Sequence, residues 1–176
     1  VGQNILKHCG EQYRTIRNTL RFLLGNLKGY APHDPATSSP MDTWIVEQTD
    51  LLCADILDAY ESYEFGKVIS GIHHFCAKEV SAIYADFIKD RMYCDGEDWP
   101  SRRAAQQACH YVLVRLVKLL APILPHTAEE VYGRIPLVSR LDSVHLEVLA
   151  RPSEERLAEI EANALQVQLA QVLAVR

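Results

Sequence analysis

Apolar positions recur along most of this chain at steps of three and four, the spacing of helices that bury one face. The clearest stretch is YRTIRNTLRFLLGNL, Tyr13 to Leu27. Cys9, Tyr13, Ile16, Leu20, Leu23, Leu24 and Leu27 form one stripe, which predicts a first helix over about Gln3–Leu27 with Gly25 and Gly29 loosening its end. Arg14, Arg17, Asn18 and Arg21 form a second stripe, about a third of a turn away. Phe22 lies beyond Asn18, where it either packs under a neighbouring helix or stacks on a base. Asn26 reads as a helix terminator.

The segment YAPHDPATSSP carries three prolines and no helical period, and is read as a loop. Ser39-Pro40 then supplies an N-cap and a first-turn proline. A second long helix follows from Met41 to about Tyr63, through Trp44, Ile45, Leu51, Leu52, Asp55, Ile56, Ala59 and Tyr60. A third begins near Phe65, breaks or bends near Lys78, and resumes through Val80, Ile83, Tyr84, Phe87 and Ile88 to about Arg91. Asp98 or Trp99 caps the next, with Pro100 in its first turn. It is apolar on most sides as far as Leu120, and so is expected at the centre. Pro122 and Pro125 end it, and Thr127-x-x-Glu130 reads as a capping box opening a short helix through Val131 and Tyr132. Leu137 to Leu149 is read as irregular with room for one short strand. Ser153 caps a final helix reaching about Val175. The expected fold is an all-α antiparallel helical bundle of five to seven helices. Residues 1–150 form the main helical domain, and 151–176 a C-terminal helix that starts a junction to a further region.

Charge sharpens this picture. The chain is at −5 overall, yet residues 1–28 carry Lys7, Arg14, Arg17, Arg21 and Lys28 against Glu11 alone, so a net of +4 sits on a body at −9. With one carboxylate nearby, the Arg row is almost without neutralising partners at helical spacing. A guanidinium presents a planar fork of donors to phosphates or base edges, so the strip suits local, oriented contact with nucleic acid. An acidic body argues against general polyanion binding. The bland alternative is a solvated face that happens to carry Arg.

Other chemistry is sparse. The five cysteines are odd in number, widely spaced and without a Cys-x-x-Cys pair, which indicates reduced core residues and a cytoplasmic setting. His73 and His74 are adjacent and point about 100° apart on a helix, so they cannot share a metal. No Gly-rich phosphate loop, nucleophile elbow or His-Glu-x-x-His motif occurs. No apolar run approaches a membrane span, and no signal peptide opens the chain. The start at Val1 and the stop at Arg176 inside a helical pattern suggest an excised piece of a longer protein.

The first-helix stretch resembles the opening helix of the anticodon-binding domain of isoleucyl-tRNA synthetase, a class I aminoacyl-tRNA synthetase. Two later segments agree in order and spacing: YEFGKVISGIHHFCAKEVSAIYADFIKDRMYCD, and LLAPILPHTAEEVYGRI followed by SVHLEVL. The resemblance covers about Asn4 to Leu149. It implies a partner, the anticodon stem-loop of tRNA(Ile), alongside the remaining domains of a parent ligase that attaches isoleucine to tRNA, and no membrane. By the match to the family's first helix, Arg17 and Arg21, flanked by Arg14 and Asn18, meet the anticodon. Lys89, Asp90, Arg91 and Tyr93 match a second family motif, Lys-Asp-Arg-x-Tyr. The expected RNA-binding set is thus Arg14, Arg17, Asn18, Arg21, Phe22, Lys89 and Arg91. For the second motif a structural role stays open, with Asp90 paired to an Arg. The family's two ATP signatures, His-Ile-Gly-His and Lys-Met-Ser-Lys-Ser, do not occur. ATP and Mg²⁺ would therefore belong to the parent's catalytic domain, with no cofactor in this chain. This piece alone is expected neither to activate isoleucine nor to hydrolyse mischarged tRNA. A valyl or leucyl relative, or a helical protein-interaction module without RNA binding, are the alternatives. The run Ile-Arg-Asn-Thr-x-Arg-Phe-Leu-Leu-Gly-Asn favours isoleucyl over valyl, whose pattern has Trp-Asn-Ala at that place.

Overall fold

The computed structural model describes residues 2–32 and 38–163. It is an all-α bundle: α1 (Gln3–Asn26), α2 (Pro40–Glu61), α3 (Phe65–Phe75), a π-helical segment (Cys76–Tyr84), α4 (Ala85–Tyr93), α5 (Pro100–Leu120), α6 (Pro125–Tyr132) and α7 (Glu154–Ala162). The central element is α5, as its all-round apolar sequence predicts. Ala105, Cys109, Val112, Leu113, Leu116, Val117 and Leu120 are sealed from solvent, and α1, α2, α4 and α6 pack around them.

Local sequence explains most helix starts. Ser39 and Asp42 form a reciprocal capping box in front of α2, with Pro40 at the first helical position. Trp99-Pro100 opens α5 in the same way, without a side-chain cap. Ser153 accepts from the Arg156 amide at the start of α7. The turn between α2 and α3 is tight enough to hold Tyr63 at φ 57°, in the left-handed region. It returns the chain along α2.

Several expectations need correction. The break or bend expected near Lys78 takes the form of a change in winding: residues 65–93 are helical throughout, widened to π over Cys76–Tyr84. The Ser81 hydroxyl donates to the Cys76 carbonyl at 2.7 Å, occupying an acceptor the α pattern would use. Thr19 of α1 is buried against this place, its Oγ1 3.2 Å from Ser81 Oγ. Thr127 does not cap α6. That helix starts two residues earlier, at Pro125, because a first-turn proline needs no amide partner, and Thr127 instead meets the Tyr13 hydroxyl at 3.2 Å. Among the described residues there is no strand. The alternating SVHLEVL is a short 3₁₀ turn over Val144–Leu146, with Val144 buried and Leu146 and Val148 exposed.

The apolar stripe of α1 is shorter than its sequence suggests. Ile16, Leu20, Leu23 and Leu27 are buried, but Cys9 and Tyr13 are exposed, because residues 3–11 extend past the bundle. Phe87 is likewise exposed. Gly25 remains inside α1, which ends at Asn26, and the turn after it passes through Gly29, whose φ of +74° only glycine adopts freely. Cys53, Cys76 and Cys109 are core residues.

Of the C-terminal part, residues 151–163 pack on α2. Ile160 is buried, Arg156 Nε lies 3.3 Å from Asp50, and the Asn163 amide donates to Glu47 at 2.8 Å. The expected continuation of this helix to Val175, and residues 33–37 of the proline-rich loop, lie outside the described residues.

Candidate nucleic-acid interface

The C-terminal half of α1 is fastened from below and behind. Leu20 and Leu23 sink into the core, and Thr19 meets the π-helical segment. At the helix end the last carbonyls lack intrahelical partners. Gln106 of α5, itself buried, supplies them: its amide donates to the carbonyls of Asn26 at 2.9 Å and Lys28 at 3.1 Å. Arg103 donates to the carbonyl of Gly29 at 2.5 Å. Asn26 turns its own amide back to the Phe22 carbonyl at 3.0 Å, a helix-ending role that matches the sequence reading.

This anchoring turns Arg14, Arg17, Asn18 and Arg21 outward, and all four are exposed. Among the described residues, no carboxylate pairs with Arg14, Arg17 or Arg21, and none of the three guanidiniums makes a hydrogen bond within the chain. Phe22 is partly buried, packed against the core with its remaining surface open.

The end of α4 reaches the same face. Asn18, Arg21, Phe22, Gly25 and Asn26 line a shallow groove of about 460 Å³ together with Tyr93, a residue 73% exposed. Tyr93 is the last residue of the second motif, and only the fold brings that motif to α1. Lys89 lies one turn before Tyr93 on α4 and is also exposed.

Arg91, also in the expected RNA-binding set, is a different case, because its guanidinium is engaged within the protein. Its guanidinium is bidentate to Asp42, Nη1 to Oδ2 and Nη2 to Oδ1, both at 2.8 Å. The Tyr84 hydroxyl donates to Asp42 Oδ1 at 2.7 Å, and the Ser39 amide donates to Oδ2 at 3.1 Å. Burial favours the neutral acid at Asp42, but the hydrogen bonds from Arg91, Tyr84 and Ser39 outweigh it and hold the carboxyl below its usual range. Burial pushes the Tyr84 hydroxyl well above its ordinary value, with the Asp42 charge adding to the effect. This cluster ties the start of α2 to the end of α4, and so fixes where Tyr93 emerges. Within the protein Arg91 thus pairs with Asp42 and not with the adjacent Asp90, which is exposed.

Sequence reasoning missed the groove itself, Tyr93 as its wall, and the Gln106 and Arg103 clamp. A buried glutamine in an apolar helix is a signal that some distant backbone needs donors, but nothing local says which.

A family model described as the anticodon-binding domain of tRNA ligase matches residues 42–175. Isoleucine–tRNA ligase of Chromohalobacter salexigens is 45% identical over 168 residues, covering 93% of this chain and 17% of the relative. Isoleucine–tRNA ligase of Fervidobacterium nodosum is 39% identical over 179 residues, with 100% of this chain and 19% of the relative covered. Isoleucine–tRNA ligase 1 of Oceanobacillus iheyensis is 43% identical over 150 residues, 83% of this chain and 16% of the relative. The chain thus spans less than a fifth of the length of these curated relatives. Helix α1 precedes the stretch matched by the family model, and the Fervidobacterium alignment includes it. Among the described residues, no helix is long and apolar enough to cross a membrane.

Proposed function

Because the chain belongs to the anticodon-binding domain family of tRNA ligases, we propose that it binds the anticodon stem-loop of tRNA(Ile) as one part of an isoleucine–tRNA ligase. The observation that carries this reading is the row of Arg14, Arg17 and Arg21, without a carboxylate partner among the described residues, on a firmly held helix beside a groove with an exposed aromatic wall. Positive charge without an internal partner attracts a phosphate backbone, and the guanidinium fork can read a base edge. Isoleucine activation with ATP and Mg²⁺ is assigned to other parts of the parent ligase. This segment binds and orients the RNA, in the cytoplasm where protein synthesis takes place.

Roles divide along the helix. Arg17 and Arg21, one turn apart, face the anticodon bases, with Asn18 between them and Phe22 at the groove. Arg14 and Lys89 contact phosphates. The test compares binding of tRNA(Ile) and an anticodon-swapped tRNA to the chain and to its Arg14→Ala, Arg17→Ala and Arg21→Ala variants, across a salt series. Loss of a base contact should cost about 1–3 kcal/mol and relax discrimination, whereas loss of a phosphate contact should weaken both RNAs alike and lower the salt slope by about one. Equal affinity for the two tRNAs, or binding that ignores salt, refutes the reading; the second outcome returns the chain to a protein-interaction role.

A further inference from the structure

The last full turn of α1 contains Gly25, and among the described residues nothing requires a glycine there. Gly25 is helical, its φ is not in the left-handed region, and among the described residues a Cβ built on it meets no atom within 4 Å beyond its own helix turn. A glycine within a helix is unfavourable relative to alanine, so the position carries a cost with no internal return. It sits seven residues after Asn18 and four after Arg21, on the same outward face, about 10 Å along the axis from Asn18. It also forms part of the groove that Phe22, Asn26 and Tyr93 line. A bare helix backbone is useful where another molecule must approach closely.

Resting on the anticodon-binding reading above, we infer that this groove holds one unstacked base of the RNA loop. The base stacks on Tyr93 and passes over Gly25, where a methyl group would obstruct it. The occupant follows from the surroundings: an aromatic wall without charge of its own, a partly buried Phe22, and donors from Asn18 and Arg21 at one end. A planar, hydrogen-bonding ring attached to a phosphate chain satisfies all three. Single-stranded loops offer such rings, and stacking on an aromatic side chain selects for them. Tyr93 can serve because the Arg91–Asp42 pair two residues earlier fixes the end of α4. The glycine and the tyrosine therefore act together as a specificity-determining pair.

Gly25→Ala separates this role from a structural one, since it should preserve or raise the melting temperature while weakening RNA binding. The probe is an RNA hairpin carrying the isoleucine anticodon loop, with 2-aminopurine placed at each loop position in turn, titrated with the full chain. One loop position should show quenching on binding. Tyr93→Ala should lower affinity roughly 5- to 150-fold, the range of single base–aromatic stacks, and abolish that quenching. Tyr93→Phe should restore both. Gly25→Ala should lower affinity with no loss of thermal stability, and Gly25→Ser should do the same. If the hairpin binds and both Gly25→Ala and Tyr93→Ala bind it as the unmutated chain does, the groove inference is overturned while the anticodon reading survives. If the unmutated chain does not bind the hairpin at all, the anticodon reading itself fails.

Discussion

Arg91→Met should unfold the bundle more readily, and in the folded fraction its effect on the proposed RNA face should be confined to Tyr93, whose position the pair fixes. The pair it breaks is well enclosed: the Asp42 side chain is 2% exposed and that of Arg91 16%. Two charge-assisted bonds of 2.8 Å disappear, and methionine fills the space of the Arg stem without replacing the charge. Removing one partner of a buried pair typically costs about 3–5 kcal/mol, because the other charge stays buried and uncompensated. With a urea slope of about 1–3 kcal/mol per molar, the denaturation midpoint should fall on the order of 1–5 M.

Acid supplies an independent check on the same pair. A carboxyl held below its unfolded pKa adds stability above that pKa and loses it as pH falls through the folded value. The unmutated domain should therefore shed this increment below about pH 4. The Asp42→Asn variant should lack that part of the acid response, and Asp42→Asn with Arg91→Met should be less damaging than the sum of the two. Urea curves at neutral and acid pH, with hairpin affinity measured on each folded variant, decide the matter. An unchanged midpoint in Arg91→Met together with lost RNA affinity would place Arg91 at the interface and refute the structural assignment.

Two further perturbations probe how α1 is held. Leu20→Ala, at a core position 1% exposed, should cost about 2–5 kcal/mol in urea unfolding, and a midpoint equal to that of the unmutated chain would place the wrong face of α1 inward. Gln106→Ala strips the donors from the Asn26 and Lys28 carbonyls and should cost about 1–3 kcal/mol; amide exchange around residues 24–30 should quicken, and unaltered exchange there would show that the clamp is dispensable.

What could be read from sequence was what depends on near neighbours. The Arg row and the buried Ile16–Leu27 stripe both follow from helical spacing within one element. So does the start of α2, where Ser39 and Pro40 act on residues beside them. What could not be read depends on partners far along the chain. Arg91 finds Asp42 across 49 residues, and Gln106 finds Asn26 across 80. Neither pairing leaves a trace in local pattern. The error at Thr127 and the unforeseen form of the irregularity at Lys78 have the same origin. A capping-box spacing was outweighed by Pro125, and an apparent interruption was absorbed when Ser81 captured the Cys76 carbonyl opposite Thr19. Tyr93 was visible as part of a motif, but its place beside Arg21 exists only once α4 has been turned against α1.

The uneven anchoring of α1 also ranks its arginines. Residues 3–11 are exposed and extend beyond the bundle, whereas the stretch from Ile16 onward is held by Leu20, Leu23, Thr19 and the Gln106 clamp. Reading a base edge with two parallel hydrogen bonds needs a donor fork fixed in position, while neutralising a phosphate tolerates movement. Arg21 stands on the best-held part of the helix and Arg14 near its freer part, so the first suits base reading and the second phosphate contact. Lysine keeps the charge but not the fork. Arg21→Lys should therefore lose discrimination between tRNA(Ile) and an anticodon-swapped tRNA by about 1–3 kcal/mol, with its salt slope nearly intact. Arg14→Lys should change neither property appreciably. The measurement is paired binding isotherms for both RNAs at several salt concentrations. If Arg14→Lys relaxes discrimination as much as Arg21→Lys does, the mechanical ranking of α1 is wrong, whatever the domain binds.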